Sequence, residues 1–322
     1  MVEREIGGYF ALEQFKNREY YADLLALNTA RNALLYLLKA KKITKLYIPR
    51  FLCDSVSRLL EKENYAYEYY AIDAKFLPIF QAQLSATEYI YVINYFGQLT
   101  NKRIAQLQKK HKNIIVDNVQ AFFQKPLKGV DTIYSCRKFF GVADGAYLST
   151  DATLNEKLPF DVSKDRTSHL LGRFEGNASE YYFAFKENDK SFVNTPLKLM
   201  SKLTHNILGA IDYSFARKKR NKNYRILAKN LGDYNALSLR VPNGAYCYPF
   251  YCENGMQIKK ELANKKIYVP TLWPNVLELT DTLEKEYAEN ILPLPCDQRY
   301  NKEDMFEMIM QIKRLLKETK YE

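Results

Sequence analysis

The chain has 322 residues, 48 lysines and arginines against 37 acids, and a net charge of +11 at pH 7. That length can bury a large core and divides most naturally into one large domain and a smaller one. The composition is that of a globular protein rich in tyrosine, and the longest apolar run, Tyr89 to Phe96 with Asn94 inside it, is far too short to cross a bilayer.

In chain order, Asp23 to Ala40 carries apolar residues at helical spacing from Ala33 onward. Lys45 to Pro49 reads as a short strand. Cys53 to Asn64 reads as a helix with Val56, Leu59 and Leu60 on one face, and Tyr65 to Ile72 as another strand. Glu88 to Asn94 is a buried strand pattern, rich in β-branched and aromatic residues, that Gly97 ends. Asn101 to Lys112 predicts a helix. Asn113 to Asp117, Thr132 to Ser135 and Ala146 to Leu148 predict strands. Such alternation argues for a mostly parallel central sheet sandwiched by helices, with ligands beyond the carboxyl ends of its strands.

From Asp151 to about Leu203 the pattern weakens, which suggests irregular helices on the surface or at a subunit contact. Thr204 to Leu231 predicts one long helix with a basic second half. A strand over Ala245 to Tyr251, a helix over Gly255 to Asn264, a strand over Ile267 to Pro270 and a helix over Lys302 to Lys317 complete a smaller C-terminal α/β domain. The predicted division is 1–203 and 204–322.

Five cysteines without C-x-x-C spacing and three scattered histidines predict neither a disulfide framework nor a metal site. The opening MVEREIGGYF has no apolar signal region, so the expected location is cytoplasmic. The basic clusters at Lys39–Lys45, Lys109–Lys112 and Arg217–Lys222 suit a solvated surface or a phosphorylated small molecule better than nucleic acid. No membrane partner is expected.

The chemistry-bearing residues lie between Val116 and Tyr147. Asp117 ends the apolar run IIVD, Gln120 follows three residues on, and Ser135 and Lys138 sit in YSCRKFFGVADGAY. Asp117 and Lys138 are 21 residues apart. A carboxylate, a hydroxyl and an amine at successive strand ends are what pyridoxal phosphate requires. The carboxylate faces the protonated ring nitrogen, the hydroxyl takes phosphate, and the amine forms the Schiff base. The apolar residues from Phe139 to Ala143 predict a desolvated setting for the amine. Read blandly, Asp117 is a helix N-cap and Lys138 a surface lysine. Asn28-Thr29-Ala30-Arg31 stands where a helix begins, either as a simple cap or as a phosphate cradle.

The chain resembles the DegT/DnrJ/StrS family of sugar aminotransferases, which have the aspartate-aminotransferase fold (pyridoxal-phosphate fold type I). The likeness is carried by LNTARNALLYLL, LYIPRFLCDSV, VINYFGQ, VDNVQAF with YSCRKFFGVADGAYLST, and ENILPLPCDQRYNKEDM. It implies pyridoxal 5'-phosphate as cofactor and Lys138 as its Schiff-base lysine. Asp117 becomes the ring-nitrogen partner and Gln120 a contact on the ring's hydroxyl side. Ser135, Thr29 and Ala30 are implied to hold phosphate. Cys53 stands at the ring-stacking position, with Phe51 and Tyr95 as substitutes. The resemblance also implies a homodimer in which the neighbour donates an asparagine, Asn177 or Asn188 here.

The sequence departs from the family at the short Ser135–Lys138 step, at Asp144-Gly145-Ala146 in place of Glu-Gly-Gly, and over Asp161 to Phe192. The implied activity is transfer of an amino group from glutamate to a nucleotide-linked keto-sugar in cell-surface polysaccharide or related biosynthesis. A pyridoxal-phosphate dehydratase or lyase is the alternative, and a non-catalytic regulatory or nucleic-acid-binding protein is a further one.

Overall fold

The computed structural model describes residues 6–318. The chain begins with β1 (Leu25–Leu27), α1 (Ala30–Ala40), β2 (Lys45–Pro49), α2 (Asp54–Lys62), β3 (Ala66–Ile72) and β4 (Pro78–Ile79). It continues with β5 (Glu88–Ile93), α3 (Asn101–His111), β6 (Ile114–Asp117), β7 (Asp131–Ser135) and β8 (Ala146–Ser149). These strands form one eight-stranded sheet in the order β1-β8-β7-β6-β5-β2-β3-β4. β3, β2, β5, β6 and β7 are mutually parallel, whereas β1, β4 and β8 pair antiparallel. Every residue of β6 is buried. That is why IIVD reads as an unbroken apolar run, with no alternation for solvent on one face.

The weakly patterned stretch holds α4 (Ser168–Glu175) and α5 (Tyr182–Ser191). After it come α6 (Lys202–Leu208), α7 (Tyr213–Leu231), β9 (Cys247–Tyr251), α8 (Gly255–Asn264), α9 (Leu283–Asn290), β10 (Ile291–Pro295) and α10 (Lys302–Glu318). β9 and β10 pair antiparallel. Residues of α7, α8 and α10 pack with them around Phe250, Ile258, Leu292 and Ile312, a core separate from that of the large sheet.

The C-terminal half differs from the sequence expectation in two places. Thr204 to Leu231 is two helices, because the chain breaks after Gly209 and Asp212 starts α7 afresh, its carboxylate accepting from Phe215 N at 2.8 Å. Ile267 to Pro270 forms no strand; the partner of β9 is ILPLP, which follows α9. Periodicity hid β10 because two of its five residues are proline.

The tight turn before β8 joins three parts of the molecule. Gly145 N donates to Asn28 O at 2.6 Å, beside the start of α1, and Gly145 O accepts from Cys136 N at 3.0 Å. Asp144 is fully buried and accepts from Ser201 N at 2.9 Å, from Ser201 Oγ at 2.7 Å and from Thr204 Oγ1. Gly145 has φ +115°, and a Cβ there would meet Thr204 Cγ2 at 3.0 Å. Gly145→Ala is expected to cost about 1–3 kcal/mol in backbone strain and overpacking. A fall in the urea midpoint with an unchanged slope would show it, and an unshifted midpoint would refute it.

Candidate active site

Asp117, Asn94 and Ser135 lie at or just past the carboxyl ends of β6, β5 and β7, where parallel sheets of this kind present ligands. Asp117 pairs in register with Ile93 on one side and Ile133 on the other, so its carboxylate starts deep in the sheet. Its Oδ2 accepts from the Tyr91 hydroxyl at 2.6 Å and its Oδ1 from Val119 N at 2.7 Å. No helix follows, and Asp117 caps a turn through Val119. Burial pushes its pKa above the usual carboxylate range, against the Tyr91 and Val119 hydrogen bonds and the positive charge of Lys138. Among the described residues Asp117 forms no ion pair, so a cation brought against it is strongly favoured.

Gln120 lies in the same turn. Its Oε1 accepts from Phe96 N at 2.8 Å, which locks the chain end of β5 to that of β6. Asn94 is fully buried and is used internally, bonded to Asn118, Gln124 and Leu99 N.

Lys138 sits in the turn after β7 and is exposed in the single chain. The desolvated setting expected from its neighbours is therefore not found. Phe139 and Phe140 are buried against Phe122 and Phe123, so they anchor the turn and leave the amine open. The carbonyl of Phe139 accepts from Arg220 Nη2 at 3.0 Å and from Gln298 Nε2 at 2.9 Å. Arg220 also donates to Ala245 O at 2.8 Å and stacks over Phe139, its guanidinium carbon 4.4 Å from the ring centroid. Residues from α7 and from the segment after β10 thus grip the residue beside Lys138. Arg220 belongs to the basic run Arg217–Lys222, yet it is buried and unavailable to an external anion.

At the other end of the site, Thr29 is the N-cap of α1 and accepts from Asn32 N at 3.0 Å. The N–H groups of Ala30 and Arg31 fall in the first helical turn, where no intrahelical acceptor exists. The Ser135 hydroxyl has no hydrogen-bond partner among the described residues. Cys53 is half-buried before α2, with Sγ 3.6 Å from Asp54 Oδ1. Tyr95 lies inside the core, its ring against Phe51, Phe76 and Trp273 and its hydroxyl on Phe51 O at 2.7 Å. Of the two asparagines, Asn177 is exposed, whereas Asn188 is buried and donates to Ala143 O of its own chain at 3.0 Å. Asn188 is therefore not free to reach a neighbour.

Sequence reading missed Tyr91, Tyr246, Arg220 and Gln298. Tyr246 is half-buried just before β9 and feels the charge of Lys138; burial raises its pKa and Lys138 opposes that rise. Gln298 lies in the closing segment LPLPCDQRY, Arg220 in the basic run Arg217–Lys222 and Tyr91 in the strand pattern Glu88–Asn94, but none of those signals pointed to the contact each makes.

No family model matches the chain, and no curated protein matches its sequence. Solved structures do match. A DegT DnrJ EryC1 StrS aminotransferase from Brucella abortus aligns with TM-score 0.61 at 14% identity, over 91% of this chain and 85% of that one. NtdA from Bacillus subtilis, with bound cofactor PMP, gives TM-score 0.66 at 13% identity over 91% and 73%. PseC from Helicobacter pylori, an aminotransferase involved in the biosynthesis of pseudoaminic acid, gives 0.59 at 14% over 90% and 85%. The chain has the fold of these aminotransferases.

The donor set fits pyridoxal phosphate. A buried carboxylate forms no ion pair, an amine stands within its field, and a hydroxyl and two helix-start N–H groups have no partner among the described residues. Because the folded pKa of Asp117 is raised, the ionised carboxylate penalises the empty fold once pH rises through the unfolded and then the folded value. Asp117→Asn is expected to leave the empty protein at least as stable at pH 7. The same change is expected to lower turnover by about 100-fold or more by removing the charge opposite the ring nitrogen. A variant with lower melting temperature and unchanged turnover would make Asp117 merely structural.

Proposed function

We propose that the protein is a pyridoxal-phosphate-dependent aminotransferase of the DegT/DnrJ/StrS type, moving an amino group from glutamate to a nucleotide-linked keto-sugar. The observation that best supports this is Asp117, buried at the end of β6, within the field of the open amine of Lys138. The sugar aminotransferases that share the fold support the substrate class.

Pyridoxal phosphate, when bound, supplies an electron sink for the carbon bearing the transferred nitrogen. Asp117 would keep the ring nitrogen protonated. Lys138 would anchor the cofactor and carry a proton between the two carbons flanking that nitrogen. Thr29, Ala30 and Ser135 would take the phosphate, and Gln120 the hydroxyl side of the ring. Cys53 would face the ring, with Tyr95 behind it in the core. The Phe139 carbonyl, held by Arg220 and Gln298, would keep the lysine turn in place while the amine moves.

In this reading residues 1–203 form the cofactor lobe and 204–322 the smaller lobe of a cytoplasmic homodimer. Among the described residues no helix is long and apolar enough to cross a membrane. Leu171, Phe174, Tyr182 and Phe183 stand exposed on α4 and α5, and such a patch supports burial against a second copy. Light scattering is expected to give twice the 37.7 kDa chain mass; a monomer at micromolar concentration would exclude the dimer.

The direct test is an absorbance scan of the purified protein with the cofactor, before and after glutamate, followed by a panel of keto-sugar nucleotides. The wild type is expected to show a visible band that glutamate bleaches and a keto-sugar restores. Lys138→Ala is expected to lack the band. A variant that keeps it would refute the lysine assignment, and a keto product formed without glutamate would favour the dehydratase.

A further inference from the structure

Arg31 occupies a position unfavourable for a cation. It lies in the first turn of α1, where the helix dipole is positive, and that turn holds no acidic residue. It is half-buried and forms no ion pair or hydrogen bond with any described residue. Its guanidinium carbon is 6.0 Å from the centroid of Phe192, and those of Arg137 and Arg166 approach the same ring at 4.5 Å and 5.1 Å. The neighbouring acids are engaged. Asp189 pairs with Arg137, Asp161 with Arg166 at 2.8 Å and with Lys198 at 3.6 Å, and Asp54 with Arg58 at 2.7 Å. In this cluster, then, the five cations Arg31, Arg58, Arg137, Arg166 and Lys198 face the three carboxylates Asp54, Asp161 and Asp189. Burial is the main influence drawing the Arg31 pKa down; Arg137 adds to it, while Cys53, Asp189 and Asp54 oppose it.

An external anion at this helix start would complete the charge balance. The position selects the anion. Arg31 is two residues beyond the cap Thr29, Arg137 precedes Lys138, and the unpartnered hydroxyl of Ser135 lies two residues before Arg137. A phosphate monoester carries close to two negative charges at neutral pH and presents the paired oxygens that a guanidinium fork matches.

We propose that Arg31 and Arg137 form a receptor for a phosphate monoester and that its occupant is the phosphate of the cofactor. This rests on the reading of the site as one for pyridoxal phosphate. It adds two charged ligands to the neutral donors Thr29, Ala30 and Ser135, with Asp189 and Phe192 setting the direction of Arg137.

The experiment compares pyridoxal phosphate with pyridoxal, which lacks only the phosphate, on the full chain. Binding is read by visible absorbance and by the mass of the borohydride-reduced lysine adduct. The wild type is expected to bind the phosphorylated aldehyde more tightly. Arg31→Met is expected to weaken pyridoxal phosphate by about 10- to 100-fold and leave pyridoxal unchanged, the loss of one charge-assisted contact. Arg31→Lys is expected to recover part of the difference. The empty Arg31→Met protein is expected to melt no lower than wild type, since a cation leaves a helix start. An unchanged preference for pyridoxal phosphate, an equal loss of both aldehydes, or a lower melting temperature would overturn the proposal. If wild type forms the adduct with neither aldehyde, the cofactor reading itself fails, a result distinct from the others.

Discussion

The Phe139 carbonyl accepts hydrogen bonds from Arg220 of α7 and from Gln298 beyond β10, and the position of the Lys138 turn depends on that clamp. The turn bearing Lys138 has no regular structure of its own to hold it. It is held instead by buried aromatics beneath, by the Gly145–Asn28 bond on one side and by the Arg220–Gln298 pair on the other. A hydrogen bond from a charged group such as Arg220 is worth about 1.5–3 kcal/mol and one from a neutral amide such as Gln298 about 0.5–1.5 kcal/mol, so the lysine can be exposed while its turn stays fixed. Anchors and amine are segregated within three consecutive residues: Phe139 and Phe140 are buried and Lys138 is exposed.

Charge is distributed with the same economy. Asp117 is a carboxylate short of a cation, and Arg31 is a guanidinium short of an anion. Each is costly in an empty fold, and in the reading proposed above each would be offset by one end of a molecule with a protonated ring nitrogen and a phosphate. The net +11 of the chain is, by contrast, mostly surface charge. Its basic run in α7 is not a uniform patch, since Arg220 is buried within it.

Much of the site was legible in the chain. The strand ends at Asn94, Asp117 and Ser135 follow from buried β-rich runs bounded by turn residues, and those runs are distinctive because both faces of a parallel sheet are covered. The start of α1 at Thr29 followed from its capping chemistry. The setting of Lys138 was not legible, because apolar neighbours in sequence say only that some side chains are buried. They do not say that the lysine goes with them. Nor was β10, whose prolines mimic a loop, or the break before α7, where a cap outweighed a continuous helical pattern.

The sequence by itself determined the sheet's parallel centre and the order in which acid, hydroxyl and amine follow at the carboxyl ends of its strands, because local period and burial are written into short segments. Only the tertiary structure decided what those groups face. Tyr91 reaches Asp117 across neighbouring strands, Arg220 reaches Phe139 from 81 residues away, and Arg31 is left unpaired because every nearby acid already has a partner. Such pairings depend on how distant elements pack, and a linear spacing carries no record of that packing.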